Sequence, residues 1–402
     1  MAGLTPRERV LRALNHEEVD RVPIDFGSSF ASTITLPAYE RLKDRLAVKH
    51  ESRLMRLTSQ TVVVDEEVLR HFNVDTRALL LGSPERSAEH WNPDGTYVDE
   101  WGITWRRPEG GFYYDMVKSP LAGPISLEDI ERYPWPDPHA PGRLYGLRER
   151  AEELHNAGYF TILNFPLGFI HMTQFLRGFE DWFSDLLLNP ELAGALMDKV
   201  IDINLGIGGD ALKVVGDLVD AVFVADDVAM QNGLMMSAEL YRRLIKPRQK
   251  RVYDYIKAHS RAKIIYHSCG AVEPLINDFI EIGVDALNPV QVSAKGMDTA
   301  RLKELYGDRI TFWGGGCDTQ HVLPHGRPED VRAEVRRRVK DLAPGGGFVF
   351  CAVHNIQADV PAENICAMFE AAQEYGRYPY VMVDSLRVDN LSRLSRTGTG
   401  CD

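Results

Sequence analysis

The most constraining feature of this 402-residue chain is a repeated alternation of helical segments with short apolar runs from residue 143 onward. The apolar runs cover residues 160–165, 221–225, 263–267, 286–288, 310–313 and 348–352. Such alternation is typical of parallel strands joined by helices. Two further strands, at 22–26 and within 54–64, would make eight. No nucleotide-binding glycine fingerprint follows any of these runs, which favours a closed barrel over an open doubly wound sheet.

We therefore predict an α/β fold, a TIM (β/α)8 barrel with an N-terminal helical extension and a β-hairpin insertion. Thr5, Pro6 and Glu8 form a helix-start pattern, with a helix running to about residue 15. Residues 94–119 are rich in aromatic side chains and are interrupted by a turn at 108–111, which predicts the hairpin. We expect one domain over residues 1–380, followed by a C-terminal tail at 381–402.

Charge and cysteine content restrict the function. The formal charge of −12 disfavours a nucleic-acid partner, because binding to phosphates requires a basic surface. No apolar run approaches 18 residues, so no membrane span is expected. The five cysteines lack the regular spacing of a disulfide framework. We expect a cytoplasmic protein with reduced thiols.

The sequence His267-Ser268-Cys269-Gly270 places two soft metal ligands at the end of a predicted strand. Downstream, either Cys351 or His354 could supply a third ligand. Three protein ligands and one open position describe a catalytic zinc site. The alternative is a buried histidine beside an inert cysteine.

Other polar residues follow the predicted strands and should share the same rim of the barrel, where barrel enzymes assemble their sites. Among them we expect catalytic roles for Asp226, Asp227 and Asn288, and cofactor contacts from Asn164, Gly315 and Asp318. Only one acid of the pair Asp226-Asp227 is expected to face the cavity. The alternative is that such residues cap the loops and helices that follow the strands.

Several segments together resemble the uroporphyrinogen decarboxylase superfamily: residues 5–10 through Val22-Pro23, the turn at 267–270, the glycine segment at 314, and residues 361–365. This resemblance implies a TIM barrel. The superfamily contains metal-free decarboxylases of a tetrapyrrole and zinc methyltransferases that act with a corrinoid protein. The decarboxylases carry an arginine-rich segment after the first helix, whereas residues 23–29 contain no arginine here.

The resemblance therefore implies a zinc methyltransferase that moves a methyl group between a small methylated substrate or acceptor and a corrinoid carried by a partner protein. The superfamily's His-x-Cys pattern falls on His267 and Cys269. Its later cysteine, nine residues before Glu363, falls on His354, so the third ligand is either His354 or a shifted Cys351. The aromatic hairpin, with Trp101, Trp105, Tyr113 and Tyr114, would edge the cavity or pack onto the barrel. Two alternatives remain: decarboxylation of a tetrapyrrole in haem biosynthesis, and a non-catalytic corrinoid- or tetrapyrrole-binding module.

Overall fold

The structure is a computed structural model that describes residues 3–378. Residues 1–2 and 379–402 lie outside this range, so the predicted tail at 381–402 does too. The helices are α1 Pro6–Leu14, α2 Leu36–Leu46, α3 Glu66–His71, α4 Leu127–Arg132, α5 Leu147–Asn156, α6 Phe169–Arg177, α7 Phe179–Leu188, α8 Pro190–Val215, α9 Ala238–Leu240, α10 Lys246–His259, α11 Ile276–Glu281, α12 Thr299–Tyr306, α13 Val322–His325, α14 Pro328–Leu342 and α15 Ala362–Tyr375.

The strands are β1 Arg53–Arg56, β2 Thr61–Val63, β3 Thr76–Leu79, β4 His90–Trp91, β5 Tyr97–Val98, β6 Thr104–Arg106, β7 Asp115–Lys118, β8 Phe160–Asn164, β9 Ala221–Ala225, β10 Ala229–Met230, β11 Gly233–Leu234, β12 Lys263–His267, β13 Ala286–Asn288, β14 Thr311–Trp313 and β15 Phe348–Val349. A π-helical turn at Tyr241–Ile245 and a 3-10 turn at Glu273–Leu275 complete the set.

Seven parallel strands form the central sheet in the order β15-β14-β13-β12-β9-β8-β3. The segment around Ile24 closes it, because the Asp25 amide donates to the Phe350 carbonyl and the Asp75 amide donates to the Ile24 carbonyl. This segment lies between the first and last strands of the sheet and completes a barrel. The predicted TIM-type fold is confirmed.

One strand prediction is wrong. Residues 53–63 form a separate antiparallel pair, β1 and β2, and the barrel strand is β3 at Thr76–Leu79. The sequence Thr-Arg-Ala-Leu carries a charge and few apolar residues, so it gives little strand signal. Arg77 is nevertheless buried because its guanidinium forms an ion pair with Glu66.

The insertion is larger than a hairpin. Strands β4 to β7 form a four-stranded antiparallel sheet over His90 to Lys118. Asp99 fastens it from within by accepting hydrogen bonds from the Trp105 indole and from the amides of Trp101 and Ile103.

Successive side chains of a strand point to opposite faces, so the barrel strands contribute alternately to a core inside the barrel and to a core between the barrel and the helices. Phe160, Ile162, Phe223 and Ile265 pack inside the barrel, whereas their neighbours pack against the surrounding helices. Helix α1 closes the N-terminal end of the barrel with Val10 and Leu14, which belong to the inner cluster. The capping box of Thr5 and Glu8, predicted from the sequence, starts this helix. Within residues 3–378, no helix has the length and apolarity needed to cross a bilayer.

Candidate metal centre at the barrel mouth

The alternation along β12 aims His267 into the barrel mouth. Ile265 packs inside the barrel, so His267, two residues further on, projects from the same face. The parallel register sets His267 opposite Asn288 of β13 and Ala225 of β9. Three neighbouring strands therefore present their carboxyl ends to one point, as the sequence predicts.

The turn after β12 brings Cys269 back over His267. Gly270 makes this possible, because its φ is +94° and a β-carbon there would lie 2.7 Å from the backbone of Ala229 and Met230. The Cys269 amide donates to Asp227 Oδ1 at 2.7 Å, which holds the cysteine in place. Only glycine fits this position without displacing the neighbouring backbone.

The structure brings together one potential ligand atom from each of His267, Cys269 and His354, all within 4.8 Å of one another. Cys269 Sγ lies 3.5 Å from His267 Nε2, and the two imidazole rings are 5.2 Å apart between centroids. His267 is buried, and the other two are partly buried. Two imidazoles and one thiol thus converge on a single small volume.

The surroundings favour neutral imidazoles. His267 Nδ1 lies 2.7 Å from Asn288 Oδ1, an acceptor, so the proton belongs on Nδ1 and the lone pair of Nε2 faces Cys269. Burial lowers the pKa of His267, against the charge of Asp227. Burial, together with His267, lowers the pKa of His354 to about 4. Burial and the charge of Asp227 raise the pKa of the Cys269 thiol well above its usual value.

A second polar group lies beside these three residues. His171 lies between two carboxylates, with Nδ1 3.4 Å from Asp226 Oδ1 and Nε2 3.5 Å from Asp227 Oδ2. Burial opposes protonation of His171, but the two carboxylates outweigh it and raise its pKa to about 10. Burial likewise opposes ionisation of Asp227, but His171 holds the pKa of Asp227 well below its usual range. The result is a compact pair of opposite charges, a protonated His171 beside an ionised Asp227.

A cavity of about 270 Å³ opens over both groups. Its polar and charged lining residues are Arg56, Thr58, Ser59, His171, Asp227, His267, His354 and Asn355. The remaining walls are largely aromatic, from Phe30, Trp105, Tyr113, Tyr114 and Phe175. Of the four aromatic residues predicted either to edge the cavity or to pack onto the barrel, Trp105, Tyr113 and Tyr114 line the cavity. Trp101 packs against Trp135 instead.

The other predicted site residues lie close by in different roles. Asp227 lines the cavity, whereas Asp226 accepts a hydrogen bond from the amide of His171 in the first turn of α6. Asn288 orients His267 and donates to the Trp313 carbonyl. The Cys351 thiol is not in the group of three; it lies 3.2 Å from the Ala352 carbonyl and 3.9 Å from Asn288 Nδ2.

The three residues expected to contact a cofactor make contacts within the protein. Asn164 accepts from the Phe30 amide and donates to the Ser28 carbonyl. Gly315 faces Val290, because a β-carbon there would lie 2.8 Å from that side chain. Asp318 Oδ1 accepts a hydrogen bond from the Gln320 amide, and Asp318 Oδ2 lies 2.9 Å from His321 Nδ1. These contacts correspond to the alternative in which the residue caps the loop after its strand.

Sequence reasoning missed two ionisable residues of the cavity, His171 and Arg56. Neither lies directly at the end of a barrel strand: His171 lies in the first turn of α6, and Arg56 ends β1, which is outside the barrel. The position of His171 gave a usable signal, because the first helical turn after a barrel strand faces the mouth. The sequence around Arg56 gave no such signal, because its position depends on how the β1–β2 segment runs outside the barrel.

The fold and this site define an α/β barrel with a buried His-Cys-His group at its C-terminal mouth. A sequence model of the family described as Uroporphyrinogen decarboxylase (URO-D) matches residues 114–375. The chain belongs to this family, as the motifs predict.

The similarity is greater toward the methyltransferase members. The chain is 24% identical over 387 residues to the Methylcobamide:CoM methyltransferase MtbA of Methanosarcina acetivorans, covering 93% of this chain and 99% of that protein. A Uroporphyrinogen decarboxylase of Alkalilimnicola ehrlichii is 23% identical over 383 residues, which cover 91% of this chain and 93% of that protein.

The solved structure of a methyltransferase from Methanosarcina mazei superposes with a TM-score of 0.63 at 17% identity, covering 92% of this chain and 99% of that one. This likeness confirms the fold. The family match and the sequence relatives confirm the prediction of a URO-D family enzyme of the methyltransferase branch.

Proposed function

We propose that this protein is a zinc-dependent methyltransferase that moves a methyl group between a small substrate and a corrinoid carried by a partner protein. The observation that carries the proposal is the group of His267, Cys269 and His354, two of which, His267 and His354, line a largely aromatic cavity. Full-length similarity to the protein named Methylcobamide:CoM methyltransferase supports the reaction class.

The donor set fits zinc. Tetrahedral zinc, with bonds of about 2.3 Å to sulfur and 2.05 Å to nitrogen, separates two such ligands by about 3.6 Å. Cys269 Sγ and His267 Nε2 are 3.5 Å apart. We assign the third ligand to His354, which belongs to the group, rather than to Cys351, whose thiol lies against the Ala352 carbonyl. Three ligands leave one position for substrate.

When bound, zinc would act as a Lewis acid that stabilises negative charge on the heteroatom that gains or loses the methyl group. The protein's own residues prepare the site for this chemistry. Asn288 fixes the proton of His267 on Nδ1 and keeps Nε2 free to bind metal. Asp227 holds the Cys269 backbone, and the protonated His171 lies beside Asp227 and keeps that carboxylate ionised.

The cavity fits a small substrate better than a tetrapyrrole. Among the described residues that line it, Arg56 is the sole arginine or lysine. A tetrapyrrole with several carboxylates would need more charge-assisted partners than one guanidinium. The decarboxylase alternative is therefore not supported by this cavity. The cytoplasmic location and the absence of a nucleic-acid partner stay predictions from composition.

Methyl transfer can be followed optically, with free cobalamin in place of the corrinoid protein. Zinc-loaded protein would be mixed with cob(I)alamin and a panel of methyl ethers, methylamines and methyl thioethers. In the reverse direction, methylcob(III)alamin would be mixed with phenols, amines and thiols. We expect transfer with at least one class, lost in His267→Ala and kept in Cys351→Ala. No transfer in either direction, or metal-independent release of carbon dioxide from uroporphyrinogen, would contradict the proposal.

A further inference from the structure

Arg56 is an unusual cation in this molecule. It ends β1, is partly buried and lines the cavity that contains the candidate metal ligands. Its guanidinium lies 5.7 Å from the centre of the Phe30 ring. Across residues 3–378, no hydrogen bond or ion pair of this side chain is found.

The buried arginines of the protein behave differently. Arg9 pairs with Asp75, Arg143 with Glu100, and Arg177 with Asp185, each at 2.7 Å. Since burial of an unpaired charge is costly, such pairing is the general rule in folded proteins. Arg56 departs from that rule at the place where a ligand would bind.

The nearest acidic influence on Arg56 is Asp99, whose carboxylate is already used. It accepts hydrogen bonds from the Trp105 indole and from two backbone amides. Burial lowers the pKa of Arg56, against the attraction of Asp99. A guanidinium stays protonated at neutral pH, so the cavity holds a positive charge that lacks a hydrogen-bonded anion.

The shape and lining of the cavity specify the rest of the ligand. A volume of about 270 Å³ suits a single substituted ring, since benzene already fits an apolar cavity of about 150 Å³. Phe30, Trp105 and Phe175 offer faces and edges on which an aromatic ring packs favourably. His267 and His354 of the metal-binding group line the same cavity as Arg56, so a molecule that fills it can contact both histidines and the guanidinium.

We propose that the substrate is a methylated aromatic carboxylate, with its carboxylate bound by Arg56, its ring on the aromatic wall and its methylated heteroatom toward His267, Cys269 and His354. This inference rests on the proposed function. In the reaction the bond from heteroatom to methyl breaks, and its electron pair stays on the heteroatom. The methyl group passes to a cobalt(I) corrinoid co-substrate, whose electron pair forms the new bond, and the heteroatom takes a proton from water.

The test is equilibrium binding by calorimetry to the metal-loaded full chain. The probe is 4-methoxybenzoate, and its uncharged isostere is 4-methoxybenzamide. Ethanesulfonate serves as a compact anion without a ring. Arg56→Gln removes the charge, and Arg53→Gln is the matched control, because Arg53 lies on the same strand and is exposed.

We expect 4-methoxybenzoate to bind wild type at least about tenfold more tightly than either other probe, since the amide lacks the charge that strengthens a hydrogen bond to Arg56 and ethanesulfonate lacks the ring. Arg56→Gln should abolish that preference, whereas Arg53→Gln should keep it. Equal binding of acid and amide, preference for ethanesulfonate, absence of 4-methoxybenzoate binding, or insensitivity to Arg56→Gln would overturn the inference. Zinc content and methyl transfer to cobalamin are measured separately, so failure of the proposed function remains distinguishable.

Discussion

The substitution Asn288→Leu tests whether the His267 imidazole is held for metal binding. Asn288 Oδ1 lies 2.7 Å from His267 Nδ1, and both side chains are buried. A metal on Nε2 requires the proton on Nδ1, so leucine would leave a buried donor without an acceptor in the metal-bound state. The metal-free protein can avoid this cost by moving the proton to Nε2.

The expected loss follows from that unpaired donor. A buried unsatisfied hydrogen-bond group costs about 1–3 kcal/mol, and loss of a residue that orients a metal ligand typically weakens metal affinity about 10- to 100-fold. We therefore expect the zinc dissociation constant of Asn288→Leu to rise by that factor. Competition with a chromophoric chelator of known zinc affinity measures it.

The matched control is Asn164→Leu, which makes the same change at the end of β8, another strand of the barrel sheet. Asn164 is also buried, but its hydrogen bonds go to Phe30 and Ser28 rather than to a metal-binding residue. This variant should lose stability and keep zinc affinity within about twofold. If Asn288→Leu bound zinc as tightly as wild type, the orienting role of Asn288 would be refuted.

Three further predictions concern the fold. Asp75→Ala should lower the free energy of unfolding by about 3 kcal/mol, because Asp75 is buried between two arginines. Asp254→Ala, which removes one partner of the exposed Lys250–Asp254 pair, should cost under about 1 kcal/mol. Urea denaturation checks both, and equal losses would contradict the reasoning. Gly168→Ala should cost about 2 kcal/mol, since its β-carbon would lie 2.2 Å from the Ala225 carbonyl oxygen; an unchanged melting temperature would refute this. Burial lowers the pKa of Lys303 to about 8 in the folded protein, against an ordinary lysine pKa of about 10.4 in the unfolded chain. Between these two pH values the unfolded chain binds more protons than the folded protein, so the free energy of unfolding increases as the pH rises. Relative to wild type, Lys303→Met should therefore be more stabilising at pH 8 than at pH 10.5, and a constant difference would contradict the shifted pKa.

Much of the barrel could be predicted from the sequence because its strands are buried on both faces. All five residues of β8 and of β9 are buried, and such strands read as continuous apolar runs between helices. Strand β3 escaped prediction because Arg77 is neutralised by Glu66, a contact that arises only after folding. The strand-like segment at 53–63 pairs with itself outside the barrel for reasons of topology rather than composition.

The candidate metal ligands were predictable for a related reason. Polar residues that end apolar strands of a parallel barrel converge at one rim, so the amino-acid sequence alone indicates His267, Cys269 and His354 as candidates. The choice between His354 and Cys351 depends on the direction of side chains in the loop after β15, and sequence spacing leaves that open. His171 and Arg56 come from elements outside the barrel sheet, and only the three-dimensional arrangement brings them to the cavity.

The most direct test of the central proposal is the zinc content of purified protein, measured by plasma mass spectrometry for wild type and three variants. We predict about one zinc per chain in wild type and in Cys351→Ala, and little or none in Cys269→Ala and His354→Ala, with all four proteins folded by circular dichroism. Wild type that neither carries nor takes up zinc, or zinc that is lost in Cys351→Ala and kept in His354→Ala, would contradict the assigned ligand set.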